Sequence, residues 1–396
     1  MMIPSENYTY PEVHQAVGSV LMHKYAEGQV GKRYYQGNSI IDEIEALCKA
    51  RALDLFDLDP KDWGVNVQAL SGGPANLAIY NALLDPKDKI LSLYLFEGGH
   101  LSHGWHTKDK KVTFVSKIWD VDFYHLDPKT FLIDYELLEK QAEEFKPKLI
   151  ISGGTSYPRE INHKKIGEIA KKVGAYYLAD VSHEAGLIAG RVNKSPFFHA
   201  DVVMMTTHKT LRGPRGAIIF SRNNLSKAVD HSVFPGIQGG PHENTIAGIA
   251  ITLEKAKTKE FQKYAQQVVL NAKVLSSELQ DLGLTVITGG TDKHLLLLDL
   301  RGSGILGKDA AVLLEEAGII TNCNLIPQDT NPPSNPSGIR LGTPALTTRG
   351  MGKYEMEKIA QWIETIITKK SLPSEIKKEV ESLCKKFSLS GRRLSI

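Results

Sequence analysis

The sequence predicts an α/β protein: a mostly parallel sheet covered by helices on both faces, followed by a smaller second α/β domain. Three observations carry that reading. Runs such as KLIISGG (148–154) and DVVMMTT (201–207) are apolar at successive positions, which suits strands buried on both faces rather than one. Helix-period segments such as HKKIGEIAKKVG (163–174) lie between several of these runs, the order expected when crossover helices join parallel strands. Beyond about residue 245 a long helical stretch leads into a second, less regular set of strands and helices.

Taken along the chain, VQALSGGPANLAIYNALL places Ser71, Gly72 and Gly73 at the start of a helix, with Pro74 suited to its first turn. KILSLYLF (89–96), KLIISGG, AYYLAD (175–180), DVVMMTT and GAIIFS (216–221) are the strand candidates. The stretch 245–283 reads as one long helical connector. LTVITGG, HLLLLDLRG and GIRLGTPAL then supply strands, with a helix near 308–317. Near the C-terminus Ile376, Val380, Leu383, Cys384 and Phe387 recur at helical spacing, predicting a packed amphipathic helix with a frayed tail. We divide the chain into an N-terminal segment (1–25), a large domain (26–260) and a small C-terminal domain (261–396). No internal repeat or low-complexity segment interrupts it.

The composition narrows the partners. Of 396 residues, 42% are hydrophobic and 23% charged, an ordinary globular balance. Lys and Arg number 48 against 45 Asp and Glu, a net charge of +3. That is too near neutral to expect nucleic acid or an anionic membrane as partner, even with a locally basic C-terminal stretch. Cys48, Cys323 and Cys384 share no short spacing that suits a metal or a redox pair, and so sparse a set points to a reducing compartment. MMIPSENYTYP lacks a basic stretch leading into an apolar one, and no run of about 18 apolar residues could span a bilayer. The expectation is a cytoplasmic protein without a metal.

Ligands of parallel sheets bind beyond the carboxyl ends of strands, and the residues just past these strand candidates are unusual in combination. AYYLAD ends in Asp180, with His183 three residues on; DVVMMTT runs into His208 and Lys209; Gly98, Gly99 and His100 come after KILSLYLF. An aldehyde cofactor carrying a pyridine ring and a phosphate would use all of these. It needs an amine for covalent attachment, a carboxylate to keep the ring nitrogen protonated, a flat partner on the ring face, and glycine amides at a helix N-terminus for the phosphate. Lys209, Asp180, His100 or His183, and the SGG turn supply them. Each piece has an ordinary alternative: Asp180 as a helix cap, the Gly-Gly turn as a common α/β feature, Lys209 as a solvated turn lysine. No G-x-G-x-x-G follows a strand to support a dinucleotide site. The joint arrangement favours the aldehyde cofactor.

PSENY, KYAEG, GKRYY, GGHLSHG, THKTLRGPRG, FPGIQGGP and SGIRLGTPALTTRG closely resemble the serine hydroxymethyltransferase family, collinearly from residue 3 to about 387. The resemblance implies fold-type I (aspartate-aminotransferase-like) architecture with a seven-stranded, mostly parallel sheet, and pyridoxal 5'-phosphate carried covalently on Lys209. It further implies Asp180 as partner of the pyridine nitrogen, His100 as the stacking histidine and His183 on the phenolic-oxygen side. Ser71, Gly72, Gly73, Thr155 and His208 would complete the cofactor site, with Gly239, Gly240 and Tyr25 reaching it from a neighbouring subunit. Arg340 and Ser5 would hold the amino-acid carboxylate, Glu27 would be the acid/base carboxylate, Tyr35 would come from across a dimer interface, and Leu95, Gly99, Leu101 and Asn324 would line the folate pocket. The activity implied is reversible transfer of the serine hydroxymethyl group to tetrahydrofolate, giving glycine and 5,10-methylenetetrahydrofolate, in a homodimer with shared active sites or a tetramer. The alternatives are a folate-independent aldolase acting on threonine-like β-hydroxy amino acids, and a decayed homologue without activity.

Several positions depart from the family pattern. SGG stands where S-G-S/T is usual, so Gly73 lacks a hydroxyl donor. EGQVGKRYYQGNS replaces a more usual E-G-Y-P-G-K-R-Y-Y-G-G, Asn244 stands for a histidine and Pro158 for a serine, and the segment 1–25 reads as a shortened arm. Arg215 is expected to fix the turn behind Lys209, and the Lys209 amine to be made more nucleophilic by burial and neighbouring cations.

Overall fold

A computed structural model describes residues 1–389 of the chain. The C-terminal residues 390–396, within the stretch read as a frayed tail, lie outside the described residues. Seven strands form the main sheet, in the spatial order Trp63–Asn66, Ala217–Arg222, Val202–Thr206, Tyr176–Asp180, Leu149–Ser152, Lys89–Leu93 and Asp120–Tyr124. The last five pair in parallel, and Ala217–Arg222 runs antiparallel to both its neighbours. All five strands expected from the sequence form. The two it did not reveal, Trp63–Asn66 and Asp120–Tyr124, are the edges of the sheet, and Asp120–Tyr124 starts with one exposed and two half-buried residues. An edge strand has less need of a continuous apolar run, so its signal is weaker.

The continuous apolar runs have the cause proposed for them. Leu149 and Ile151 enter one core cluster while Ile150 enters another; Val202 and Met204 alternate with Val203 and Met205 in the same way. Both faces of each central strand are therefore buried. Each such side chain contributes about 1.5–3 kcal/mol on leaving water. Crossover helices supply the covers: His163–Val173 turns His163, Ile166, Ile169 and Ala170 inward and caps itself with Asn162.

A second sheet of four antiparallel strands comes next, ordered Thr285–Val286, Leu295–Asp299, Gly338–Gly342 and Asn322–Asn324. It has its own core, which includes Leu296, Leu298, Ile339, Leu341, Trp362 and Ile363. Met2 joins that core, and the extended N-terminal segment is tied to it by Met2 N to Ile320 O and Gly342 N to Met2 O, both 2.7 Å. The stretch 245–283 is two helices rather than one, Glu243–Ala256 and Lys259–Asp281. The break falls where Thr258 Oγ1 accepts from the Phe261 amide at 3.2 Å, an N-cap that starts a new helix instead of continuing the old one. The expected later helices form as Gly307–Glu316 and Pro373–Lys386, the latter burying Ile376, Val380 and Leu383. Among the described residues no helix is long and apolar enough to cross a membrane.

One close approach positions the site. Gly153, just past Leu149–Ser152, has φ +114°, and a Cβ there would lie 1.9 Å from the Asp180 carbonyl oxygen. Only glycine accepts that conformation and that contact together. The loop carrying Thr155 is thereby drawn against the strand end carrying Asp180.

Candidate active site

Four strand ends and one helix start converge on a cavity of about 380 Å³. Ser5, Ser71, Gly72, Gly73, His100, Thr155, Asp180, His183, His208, Lys209 and Arg340 all line it. These are eleven of the residues singled out from the sequence, drawn from segments more than 300 positions apart. Parallel strands bring their carboxyl ends to one edge, which is why Asp180 and Lys209 meet there.

Asp180 is the electrostatic anchor. Its Oδ2 accepts from His103 Nε2 and from Asn76 Nδ2, each at 3.0 Å, and its Oδ1 accepts from the Ser182 amide at 3.1 Å. Burial alone would raise its pKa, but the imidazoles of His103 and His100 and the contact with Ser182 outweigh it and hold the carboxyl well below the usual range. Lys209 Nζ donates to Thr206 Oγ1 at 2.9 Å. Its pKa falls to about 8, chiefly by burial, with Asp180 opposing and Arg340 and Arg215 adding to the fall. His100 is lowered to about 4, first by burial and then by His103. Its Nδ1 meets Ser102 Oγ at 2.6 Å and accepts from the Ser102 amide at 3.1 Å. Ser102 Oγ in turn accepts from Asn76 at 2.9 Å, so one asparagine ties the histidine side of the pocket to Asp180. His208 is lowered to about 3 by burial, then by Lys209 and Arg215.

Arg340 enters from the second sheet. Strand pairing sets it opposite Leu297 on one side and Asn322 on the other. Its Nη1 donates to the Thr155 carbonyl at 2.7 Å and its Nε to Asn322 Oδ1 at 3.2 Å. Burial lowers its pKa to about 10, which still leaves a guanidinium cation at neutral pH. Thr155 Oγ1 donates to the Gly99 carbonyl at 2.9 Å, so Gly99 supports the wall through its backbone.

A pyridine aldehyde phosphate fits these residues. The Gly72–Leu83 helix opens on the cavity, and the hydroxyl at its N-cap, Ser71, makes no capping bond. The first-turn amides of that helix thus offer an anion site with positive dipole. A carboxylate kept ionised and a partly neutral amine share the same cavity. Among the described residues no cluster of three or more His, Cys, Asp or Glu suits a metal ion.

Other expected residues lie elsewhere. Glu27, Tyr25, Tyr35, Gly239 and Gly240 do not line this cavity; they gather in a second cluster. The rings of Tyr25 and Tyr35 are 5.1 Å apart, a Cβ on Gly240 would lie 3.2 Å from Tyr25, and one on Gly239 would lie 3.3 Å from Glu27 Oε1. Leu95, Leu101 and Asn324 also stand outside the lining; Leu101 is exposed and Leu95 and Asn324 are half-buried. Among the described residues, Arg215 makes no side-chain hydrogen bond that would fix its turn. Thr207 Oγ1 to Pro214 O at 2.6 Å and Gly213 N to Thr207 O at 2.7 Å close it, and Arg215 lines the cavity instead.

Sequence reading missed Glu6, Asn76, Gly154, Ser182 and Thr206 as lining residues. Two of them carried a signal. Asn76 lies four residues after Gly72 on one helix face, and Thr206 ends the strand that leads to Lys209.

The profile of the family described as serine hydroxymethyltransferase matches residues 1–363. A putative mitochondrial serine hydroxymethyltransferase of Neurospora crassa is 47% identical over 93% of this chain and 71% of its own length. A cytosolic serine hydroxymethyltransferase of Candida glabrata is 45% identical over 95% of this chain and 84% of its own. A mitochondrial one of Saccharomyces cerevisiae is 45% identical over 92% and 78%. With a cavity assembled from the residues that the motifs mark and a match that runs nearly end to end, the chain belongs to the serine hydroxymethyltransferase family.

Proposed function

We propose that this protein interconverts serine and glycine, passing the hydroxymethyl group reversibly to tetrahydrofolate. The observation that supports the reading best is the convergence of Lys209, Asp180, His100, Arg340 and the Ser71 helix start on one cavity, in a chain of this family. Pyridoxal 5'-phosphate, held by Lys209, Asp180, His100, His183, His208, Thr155, Ser71, Gly72 and Gly73, would supply an electron sink for breaking the Cα–Cβ bond of serine.

The chain's own residues do the rest. Arg340, cationic and braced on Thr155, grips the amino-acid carboxylate with Ser5 and so orients the Cα–Cβ bond. Asp180 stays ionised and keeps a proton on the ring nitrogen. Neutral His100 offers a flat face without competing charge. Lys209 gives up and regains a proton near neutral pH because its pKa is about 8. Glu27 moves the proton at the hydroxymethyl oxygen, and Leu95, Gly99, Leu101 and Asn324 line the folate side.

Glu27, Tyr25, Tyr35, Gly239 and Gly240 complete the site of a second copy in a homodimer. Their separation from the cavity supports this, as do the exposed Val20, Met22, Tyr34, Ile40 and Leu47 around them. The division at 25/26 and 260/261 belongs to the same proposal. Two separate sheets and cores support two domains, but the helix Lys259–Asp281 crosses the second boundary, giving Phe261, Tyr264 and Val268 to the large core and Leu275 and Leu279 to the small one. A cytoplasmic setting belongs to the proposal too: the matched relatives include cytosolic and mitochondrial enzymes, and the near-neutral charge offers nucleic acid no strong partner.

The test is a folate-dependence assay on cofactor-loaded protein. Serine should yield glycine and 5,10-methylenetetrahydrofolate in step, and Lys209→Ala should abolish both. Glycine released equally fast from threonine-like substrates, with no response to folate, would establish the aldolase instead.

A further inference from the structure

Behind the cavity wall, two adjacent residues of the large domain meet two adjacent residues of the small one. His183 and Glu184 come just after the strand ending in Asp180, and Lys293 and His294 directly precede the strand Leu295–Asp299. Lys293 Nζ donates to Glu184 Oε1 at 2.6 Å, with both side chains 4% exposed. His183 Nδ1 and His294 Nε2 are 3.2 Å apart. The contacts are consecutive rungs: 183 with 294, and 184 with 293. Asn193 Nδ2 reaches Glu184 Oε2 at 3.4 Å, the Lys293 ammonium stands 5.5 Å from the centre of the Tyr157 ring, and the Thr343 amide donates to the His294 carbonyl at 3.1 Å. The residue roles proposed for hydroxymethyl transfer include neither Glu184, Lys293 nor His294.

A hydrogen bond between two neutral imidazoles can run either way, and each direction fixes both tautomers. Were His183 to donate from Nδ1, His294 would carry its own proton on Nδ1, a buried nitrogen with no partner among the described residues. A buried N–H without an acceptor is rarer than an acceptor without a donor. Were His294 to donate from Nε2, its Nδ1 would be merely an unpaired acceptor. His183 would then hold its proton on Nε2, the nitrogen left for the cavity that it lines. Protonating either ring is opposed by burial first, and next by Lys209 for His183 and by Lys293 for His294.

We propose that His294 is a positioning residue: it donates to His183, fixes the Nε2–H tautomer and so gives the cavity a hydrogen-bond donor, while the Lys293–Glu184 ion pair holds the two histidine segments in register. The donor suits an oxygen acceptor on bound cofactor or substrate, and it denies His183 the role of a base. The catalytic meaning of this rests on the proposed hydroxymethyl transfer; the tautomer does not.

The experiment uses full-length, cofactor-loaded protein with ¹⁵N-labelled histidine rings, the His183 signals being assigned by their loss in His183→Asn. The expected spectrum shows His183 with hydrogen on Nε2 and a bare Nδ1; hydrogen on Nδ1 overturns the proposal. Two variants extend the test. His294→Gln keeps an N–H donor at about the same reach, and His294→Leu keeps bulk without one. The pyridoxal phosphate dissociation constant should rise about tenfold in His294→Leu and return close to the parent value in His294→Gln. Equal constants in the two variants overturn it. If His294→Leu fails to fold, Lys293→Met/Glu184→Leu takes its place, because removing both charges together strands neither. That double variant should lose cofactor about tenfold more readily and show both His183 tautomers; unchanged retention with a single tautomer removes the ion pair from the proposal. Hydroxymethyl transfer is assayed on the parent in parallel. Its absence would overturn the functional reading and leave the tautomer result intact.

Discussion

Lys209 shows how much one side chain owes to its surroundings. With a pKa of about 8, about a tenth of its amines are neutral at pH 7, against fewer than about one in a thousand for an unperturbed lysine. Cofactor uptake by apo-protein needs that neutral amine. Its rate should therefore rise roughly tenfold from pH 6 to 7 and level off above pH 8, as stopped-flow absorbance would show; a rise continuing to pH 10 would mean that burial does not perturb the amine. Gly73 offers the complementary test. A Cβ built there meets nothing within 4 Å, so Gly73→Ser should fold normally and add a hydroxyl donor to the phosphate turn. Pyridoxal phosphate should bind about tenfold tighter in that variant by equilibrium titration. Gly72→Ala should do the reverse, because its Cβ would press to 2.8 Å from Thr206 Cγ2, on the residue that holds Lys209.

At the scale of elements, the small antiparallel hairpin of Gly28–Gln29 and Lys32–Arg33, which directly follows Glu27, is fastened by buried charge. Arg33 pairs with Asp42 at 2.8 Å and Glu45 at 2.7 Å on the Ser39–Leu55 helix, and also donates to the carbonyls of Ala26 and Gly28. Glu243, first residue of the Glu243–Ala256 helix, is buried nearby, and neither carboxylate oxygen has a hydrogen-bond partner among the described residues. Its pKa rises to about 7, through burial first and then Glu45, with Arg33 opposing. A carboxyl with a raised folded-state pKa binds more protons folded than unfolded between its two pKa values. Its contribution to stability therefore falls as pH climbs from about 4.5 to about 7 and is flat above. Glu243→Gln should remove that loss. Relative to the parent, the variant should gain about 2–3 kcal/mol between pH 5 and pH 8 in urea denaturation. An equal difference at both pH values would show that Glu243 does not titrate in this window.

For the whole molecule, the decisive question is which copy supplies Glu27. Lys209→Ala and Glu27→Gln should each be nearly inactive alone. Refolded together, random pairing makes half the dimers mixed, and each mixed dimer has one site with both residues intact. About a quarter of the parent activity should return if the site is shared. No recovery would place Glu27 and Lys209 of the same chain in one site, against the separation of the two clusters.

The central strands were legible in the residues alone, because burial on both faces demands runs such as LIIS and VVMMT; the grouping of Lys209, Asp180, His100 and the Ser71 turn in one cavity was also legible, because those residue types past strand ends are rare in combination. The edge strands were not: Asp120–Tyr124 begins half-exposed, and Trp63–Asn66 is only four residues long with Gly64 and Asn66 breaking the apolar run; nor was the helix break at Thr258, where one hydroxyl cap decides. Folding had to establish that Asn76 and Ser102 link His100 to Asp180, that Arg215 lines the cavity, and that His294 stands behind His183. Those are contacts between segments far apart in the chain. Periodicity reports which face of an element is buried, and only packing decides what it is buried against.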